Sequence, residues 1–200
     1  MLAGQLSLLG HEAPSFDGTF GKVQRTTLTD GAWVDYAPGW LAGHADVFDV
    51  LVRETAWQTG HEHMYDRLVE TPRVFAAIPE NSPGHPVLPA IASALSRYYA
   101  QAFVRTSLAL YRTGRDSVAF HGDRIARTLP DALVATVSVG APRRFLLRPR
   151  AGGRSIGFDL GWGDLIVMGG SCQRTWQHSI PKVARADPRI AIMFRPQWGD

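Results

Sequence analysis

From about Phe103 onward, apolar and polar positions alternate with a period of two, the repeat of a half-buried strand. Candidate strands fall around Ser107 to Arg112, Ser117 to Gly122, Leu133 to Val139, Arg144 to Arg148, Ser155 to Leu160, Asp164 to Met168, Thr175 to Ile180 and Arg189 to Arg195. Thr113-Gly114, Gly140-Ala141-Pro142, Ala151-Gly152-Gly153, Gly161-Trp162-Gly163 and Asp187-Pro188 separate them as turns. Short strands at this spacing predict a sandwich or jelly roll. In the last strand Arg189, Ala191, Met193 and Arg195 share one face, and Ile190, Ile192 and Phe194 the other. If that first face is buried, its arginines need anionic partners, because an unpaired charge is costly away from water. If the strand lies at an edge, they are simply solvated.

The first half reads differently. Residues 1–44 carry frequent turn signals around short apolar pieces, Val23 to Leu28 and Ala32 to Tyr36, which predicts an irregular, partly stranded entry. Asp46 precedes Phe48, Leu51, Val52 and Thr55, the pattern of an amphipathic helix with Asp46 as its N-cap. Trp57 to Pro89 is polar and breaker-rich, which predicts a loop acting as a substrate lid. Its His61 and His63 have no third ligand nearby in sequence and read as solvated loop residues. Pro89 to Phe103 is the clearest helix, with Ile91, Leu95, Tyr98, Tyr99 and Ala102 on one face. The expected architecture is α+β: one domain over 1–200, comprising an N-terminal extension with helices and the lid (1–104) and a β-rich core (105–200).

Composition narrows the class. The chain is 45% hydrophobic, ample for one core, and its single cysteine, Cys172, excludes an internal disulfide framework and a multi-Cys zinc site. A reducing, cytoplasmic setting fits. Met1 to Gly10 lacks a basic region and a long apolar run, so neither a signal peptide nor a membrane span is expected. The net charge is +3, and the basic residues are arginine apart from Lys22 and Lys182. Arginine forks onto phosphate and carboxylate, which favours a phosphate-bearing partner, while an arginine-biased composition explains the same numbers without one.

Candidate chemistry sits at His121-Gly122-Asp123. In a strand, residues two apart point to the same side, so imidazole and carboxylate project together. His178, in Trp176-Gln177-His178-Ser179-Ile180-Pro181, belongs to a late strand that a jelly roll can bring opposite an early one. The three would form a two-His-one-carboxylate facial triad, which holds Fe(II) by one face. A lone His-x-Asp also occurs by chance, and a lone buried histidine is more often a hydrogen-bonded core residue.

Several motifs follow in one order: Leu110-Tyr111-Arg112, Asp116-Ser117-Val118, His121-Gly122-Asp123, Val137-Ser138-Val139-Gly140 with Arg144-Phe145, Gly163-Asp164-Leu165 with Val167-Met168, Trp176-Gln177-His178 with Pro181-Lys182, and Arg189 and Arg195. Over about Phe103 to Arg195 the chain resembles the AlkB-like family of Fe(II)- and 2-oxoglutarate-dependent dioxygenases, which reverse alkylation damage on nucleobases. Met64-Tyr65-Asp66-Arg67 and Pro72-Arg73 extend the likeness faintly into the first half.

The resemblance implies a double-stranded β-helix, or jelly roll, in which His121, Asp123 and His178 bind Fe(II). Tyr111 and Arg189 would hold the distal carboxylate of 2-oxoglutarate, and Arg195 would act near its other end. With O2 as oxidant, decarboxylation to succinate would accompany hydroxylation of an N-methyl group, which then leaves as formaldehyde. The resemblance further implies an alkylated nucleic acid partner, DNA before RNA, with the damaged base flipped out and stacked on His121. Trp57, Tyr65 and Phe75 are the candidates for the second stacking aromatic, in a lid that also carries Arg67. Arg143, Arg144, Arg148, Arg150 and Arg154 form a candidate phosphate-contacting hairpin, or a solvated strand edge. No obligate protein partner is implied, and a monomer is expected.

The chain departs from the family pattern in places. Ala109 stands where an Asn commonly precedes the cosubstrate Tyr, and Ala191 where an Asn follows the first Arg. Ile125 replaces an acidic residue that reads the exocyclic amine of the base, and Ala77-Ile78-Pro79 replaces an aromatic and Gly pattern. These changes keep two rivals open: the same chemistry on another substrate (modified RNA, a protein side chain or a small metabolite), and a non-catalytic binding module.

Overall fold

The computed structural model describes residues 13–64, 67–79, 84–123 and 131–197, with the backbone alone for the strand segments within 61–72. In chain order these residues form β1 (Ser15–Phe16), β2 (Gln24–Thr27), β3 (Ala32–Ala37), β4 (Leu41–Ala42), α1 (His44–Glu54), β5 (Gln58–Met64), β6 (Arg67–Ile78), α2 (Val87–Tyr99), β7 (Phe103–Tyr111), β8 (Val118–His121), β9 (Val134–Gly140), β10 (Arg143–Pro149), β11 (Ile156–Leu160), β12 (Asp164–Gly170), α3 (Cys172–Thr175), β13 (Trp176–Ile180) and β14 (Arg189–Pro196). An eight-stranded sheet in the order β2-β3-β12-β9-β14-β7-β6-β5 faces a four-stranded sheet in the order β11-β10-β13-β8. This is the jelly roll that the resemblance implies and one of the two architectures that the alternation predicts. Strands from the first half extend the large sheet at both of its edges, so the residues before 105 contribute sheet as well as helices.

β14 shows how the pattern becomes a fold. It is central, paired antiparallel with β7 on one side and β9 on the other. Ile190, Ile192 and Phe194 are wholly buried in the layer between the large sheet and the helices, beside Val47 and Leu51 of α1 and Ile91 and Leu95 of α2. Burying each such side chain contributes roughly 1.5–3 kcal/mol. The opposite face turns Ala191 and Met193 into the space between the sheets, with Tyr111, Phe145 and Met168. The solvated-edge alternative for its arginines is thereby excluded: Arg189 is 1% exposed.

Three expectations need correction. The polar stretch after Trp57 is not a loop: β5 and β6 pair antiparallel from Gln58↔Phe75 to Met64↔Arg67, and Val74 to Ile78 continue onto β7. A two-stranded ribbon satisfies its backbone strand to strand and needs no apolar alternation, so the periodicity there is silent. Asp46 is not the N-cap of α1. Gly43, at φ 64, takes that position, and Asp46 lies in the first turn with its carboxylate 3.2 Å from His85 Nε2. The helix expected from Pro89 to Phe103 starts earlier and stops at Tyr99, because Ala100 adopts a left-handed conformation and Phe103 already opens β7. No described helix is long and apolar enough to cross a membrane.

Candidate active site

The small sheet assembles the first cluster. His121 ends β8 and is the direct cross-strand partner of His178 in β13, with ring centroids 4.2 Å apart. Phe145, on neighbouring β10, stacks on His178 at 5.5 Å. Asp123 follows two residues later, and its backbone N–H donates to the Gln173 side-chain oxygen at 3.0 Å. One ligand atom from each of His121, Asp123 and His178 lies within 4.8 Å of the others. Gly122 between them has no room for a side chain: a Cβ there would come within 2.6 Å of the Gln173 carbonyl. Gly122→Ala is therefore expected to destabilise the fold by about 1–3 kcal/mol and to displace Asp123, read as a lower melting temperature together with less bound metal.

The donor set fits a transition metal by its protonation states as well as its spacing. His121 Nδ1 lies 2.9 Å from the Ala119 carbonyl, which only accepts, so Nδ1 is the donor there and Nε2 is the nitrogen left to face a metal. Burial, reinforced by the neighbouring His121, pushes His178 down to about 3, leaving a neutral imidazole. Burial acts to raise the Asp123 carboxyl, but Arg195, His178 and His121 outweigh it and hold the group below its ordinary value. Neutral imidazoles and an ionised carboxylate are the ligating forms.

The large sheet supplies the second cluster. Arg189 and Tyr111 are cross-strand partners, and the Arg189 guanidinium lies 5.3 Å from the centre of the Tyr111 ring. Arg189 Nε donates to Ser138 Oγ at 2.7 Å, yet no carboxylate among the described residues forms an ion pair with it. Burial pushes its pKa down to about 10. Such a cation calls for an incoming anion, and a dicarboxylate supplies one. Arg195, at the other end of the strand, donates to Asp123 Oδ2 at 2.8 Å and to Ser107 Oγ at 2.7 Å. Both clusters open onto one cavity of about 350 Å³, which Ala109 and Ala191 also line.

The residues expected to meet substrate separate. Phe75 lines the cavity with its side chain part-exposed, and Arg73 joins it with a 3.4 Å contact to the Ser117 carbonyl. Trp57 does not reach the cavity; it packs on the helix-side core, with its indole N–H directed at the Val52 carbonyl 3.4 Å away. Tyr65 and Ile125 lie outside the described residues, and of Arg67 only the backbone, paired with Met64, is described. Arg144 is exposed in an ion pair with Asp159 at 2.9 Å. Arg148 lies over the Phe120 ring at 3.8 Å.

Arg143 fits neither reading of the arginine hairpin, phosphate contact or solvated edge. It is 3% exposed and donates to the carbonyls of Thr113, Asp116 and Pro181, so it ties the turn after Tyr111 to the segment after β13. Three carbonyl acceptors take its two terminal nitrogens in place of phosphate, while its Nε has no partner among the described residues. Arg143→Lys should thus cost about 2 kcal/mol or more through lost charged hydrogen bonds, measured by chemical denaturation.

Two residues escape sequence reasoning: Gln173, which fixes the Asp123 backbone, and Ser138, which orients Arg189. Each is brought from a distant part of the chain by sheet pairing, and neither belongs to a local motif of ligands.

Comparison with known proteins gives this geometry a family. Residues 42–195 match the family model described as 2OG-Fe(II) oxygenase superfamily. Human alpha-ketoglutarate-dependent dioxygenase alkB homolog 3 is 29% identical over 158 residues, 74% of this chain and 52% of the relative. Mouse DNA oxidative demethylase ALKBH2 is 29% identical over 122 residues, 56% of this chain and 51% of the relative. The chain thus spans about half the length of these curated relatives. A solved structure of OsALKBH1 superposes with a TM-score of 0.59 at 13% identity, covering 87% of this chain and all of the other. The match over most of its length, with the metal and anion clusters inside the matched span, makes this chain a member of the 2OG-Fe(II) oxygenase superfamily, similar in sequence to the alkB homologues.

Proposed function

We propose that this oxygenase removes N-alkyl groups from nucleobases, in DNA before RNA. The carrying observation is the placement of Phe75: a part-exposed aromatic ring lining the same cavity as His121, from the opposite sheet. A flat base entering between a ring at the mouth and the first imidazole would bring its N-methyl group to the metal end. The names of the relatives, a DNA oxidative demethylase among them, support the choice of substrate.

Fe(II) bound by His121, Asp123 and His178 would, together with 2-oxoglutarate and O2, supply the oxidising power for a methyl C–H bond. The chain's own residues do the rest. Arg189, held by Ser138 and flanked by Tyr111, receives the distal carboxylate of the cosubstrate. Arg195 pairs with Asp123 Oδ2 and so keeps the carboxylate ionised and fixed in position. Leu108, Val134, Met168 and Ala191 wall the cavity with apolar surface, which limits water around the reacting groups. Hydroxylation of the N-methyl carbon leaves a hydroxymethyl adduct that releases formaldehyde and the restored base.

The test is formaldehyde release from N-methylated single-stranded and duplex oligonucleotides by iron-loaded protein. Release matched to succinate supports the proposal; 2-oxoglutarate turnover without formaldehyde from any methylated oligonucleotide overturns it. Phe75→Ala should raise KM for the oligonucleotide roughly tenfold, the value of one base–aromatic stack, with a smaller change in KM for 2-oxoglutarate.

A further inference from the structure

The inter-sheet face of the cavity is built in rows across β7 and β14. Tyr111 faces Arg189 in the first row, Ala109 faces Ala191 in the second, and Ser107 faces Met193 in the third. The first row is a polar anchor. In the third, the Ser107 hydroxyl and the Met193 sulfur are both taken by Arg195, whose Nε is fixed on Asp123. Between these fixed ends the floor consists of two methyl groups, and both alanines line the cavity. Rows along a strand are about 7 Å apart, and directly opposed Cβ atoms are roughly 5 Å apart, so the second row is a shallow apolar trough. Nearby, Val134, Met168, Phe145 and Ile180 line the same cavity without a charge.

A 2-oxo diacid with its distal carboxylate at Arg189 and its oxo-acid end toward His121, Asp123 and His178 must pass its two internal methylenes across this trough. An Asn at position 109 or 191 would fill it; alanine leaves space and apolar walls. We propose that the chamber accepts 2-oxo diacids carrying a small alkyl branch on those internal carbons, such as 3-methyl-2-oxoglutarate, as alternative cosubstrates. This rests on reading the cavity as the 2-oxoglutarate site. The stoichiometry stays that of the parent acid: the C1–C2 bond breaks and CO2 leaves, one oxygen atom of O2 enters the new carboxylate to give 2-methylsuccinate, and the other enters a substrate C–H bond. The oxo acid and the substrate each contribute two electrons.

The experiment is an anaerobic titration of the Fe(II)-loaded protein with 2-oxoglutarate and with 3-methyl-2-oxoglutarate, following the metal-to-ligand charge-transfer band. The two dissociation constants should agree within about threefold, since a methyl group in an open apolar trough meets no overpacking. Ala109→Asn/Ala191→Asn should then weaken the methylated acid relative to the parent by about tenfold or more, the scale of an overpacked site. Ala191→Val, read in the same way, serves if the double variant does not fold. A wild-type dissociation constant for the methylated acid tenfold or more above that of the parent overturns the proposal, as does an unchanged ratio in the filled variants. A band with neither acid overturns the cosubstrate reading itself, and with it this inference.

Discussion

His178→Ala is expected to leave a folded protein that binds little iron and has no measurable 2-oxoglutarate turnover. His178 is the cross-strand partner of His121, lies under the Phe145 ring and is half-buried as a neutral imidazole. Removing it takes one of three ligands and leaves His121 and Asp123 as a bidentate edge. Loss of an outer partner of a metal ligand already costs about 10–100-fold in affinity, so loss of the ligand should cost at least about 100-fold. Iron per chain after anaerobic desalting measures it. Folding should survive, because the substitution removes a polar ring whose neighbours, Leu147 and Ile180, are apolar and well packed.

Arg189→Met has two effects of opposite sign. Without cosubstrate the variant should be as stable as the wild type or more stable by about 1–2 kcal/mol, because a buried cation without a carboxylate partner among the described residues is replaced by an apolar chain of similar length. With cosubstrate the order reverses. The wild type gains a buried ion pair, whereas the variant leaves an incoming carboxylate without its partner, which typically costs about 2–5 kcal/mol. KM for 2-oxoglutarate should rise on the order of 100-fold. Thermal melts with and without 2-oxoglutarate reveal both: a higher melting point for the variant alone, and stabilisation by the ligand in the wild type only. A variant destabilised in both conditions would mean that Arg189 serves packing through Ser138 rather than anion binding.

How much of this was legible in the sequence depends on the residue. β14 is the best case, since strict alternation placed Arg189 and Arg195 on one face and Ile190, Ile192 and Phe194 on the other, and the large sheet divides them in that way. Strand geometry also predicts that His121 and Asp123 project together, although β8 ends at His121 and Asp123 follows it outside the strand. That His178 meets them depends on β13 pairing with β8, a long-range choice that no local pattern encodes; the order of motifs in the resembling family pointed to it. Phe75 and Trp57 were indistinguishable as aromatics in a polar stretch. They separate because β6 is a strand whose alternation points Arg73, Phe75 and Ala77 at the cavity, while Trp57 precedes β5 and turns to the helices. Arg143 was misread because an arginine at the start of a strand carries no mark of burial. Its partners are backbone carbonyls, which every sequence contains and none advertises.

The opposed pair Ala109 and Ala191 joins both levels. Each was visible as a departure from a family pattern, but only the register of β7 and β14 shows that the departures meet across one pair of strands in the middle of the cavity. Loss of both polar side chains at one spot is a change of shape rather than two separate losses of contact.

Anaerobic addition of 2-oxoglutarate to Fe(II)-loaded protein, in the wild type and in His178→Ala, tests whether the three-ligand site holds both metal and cosubstrate. A charge-transfer band should saturate at one cosubstrate per chain in the wild type and be absent in the variant. No band in the wild type, or a band that persists undiminished without His178, would contradict this.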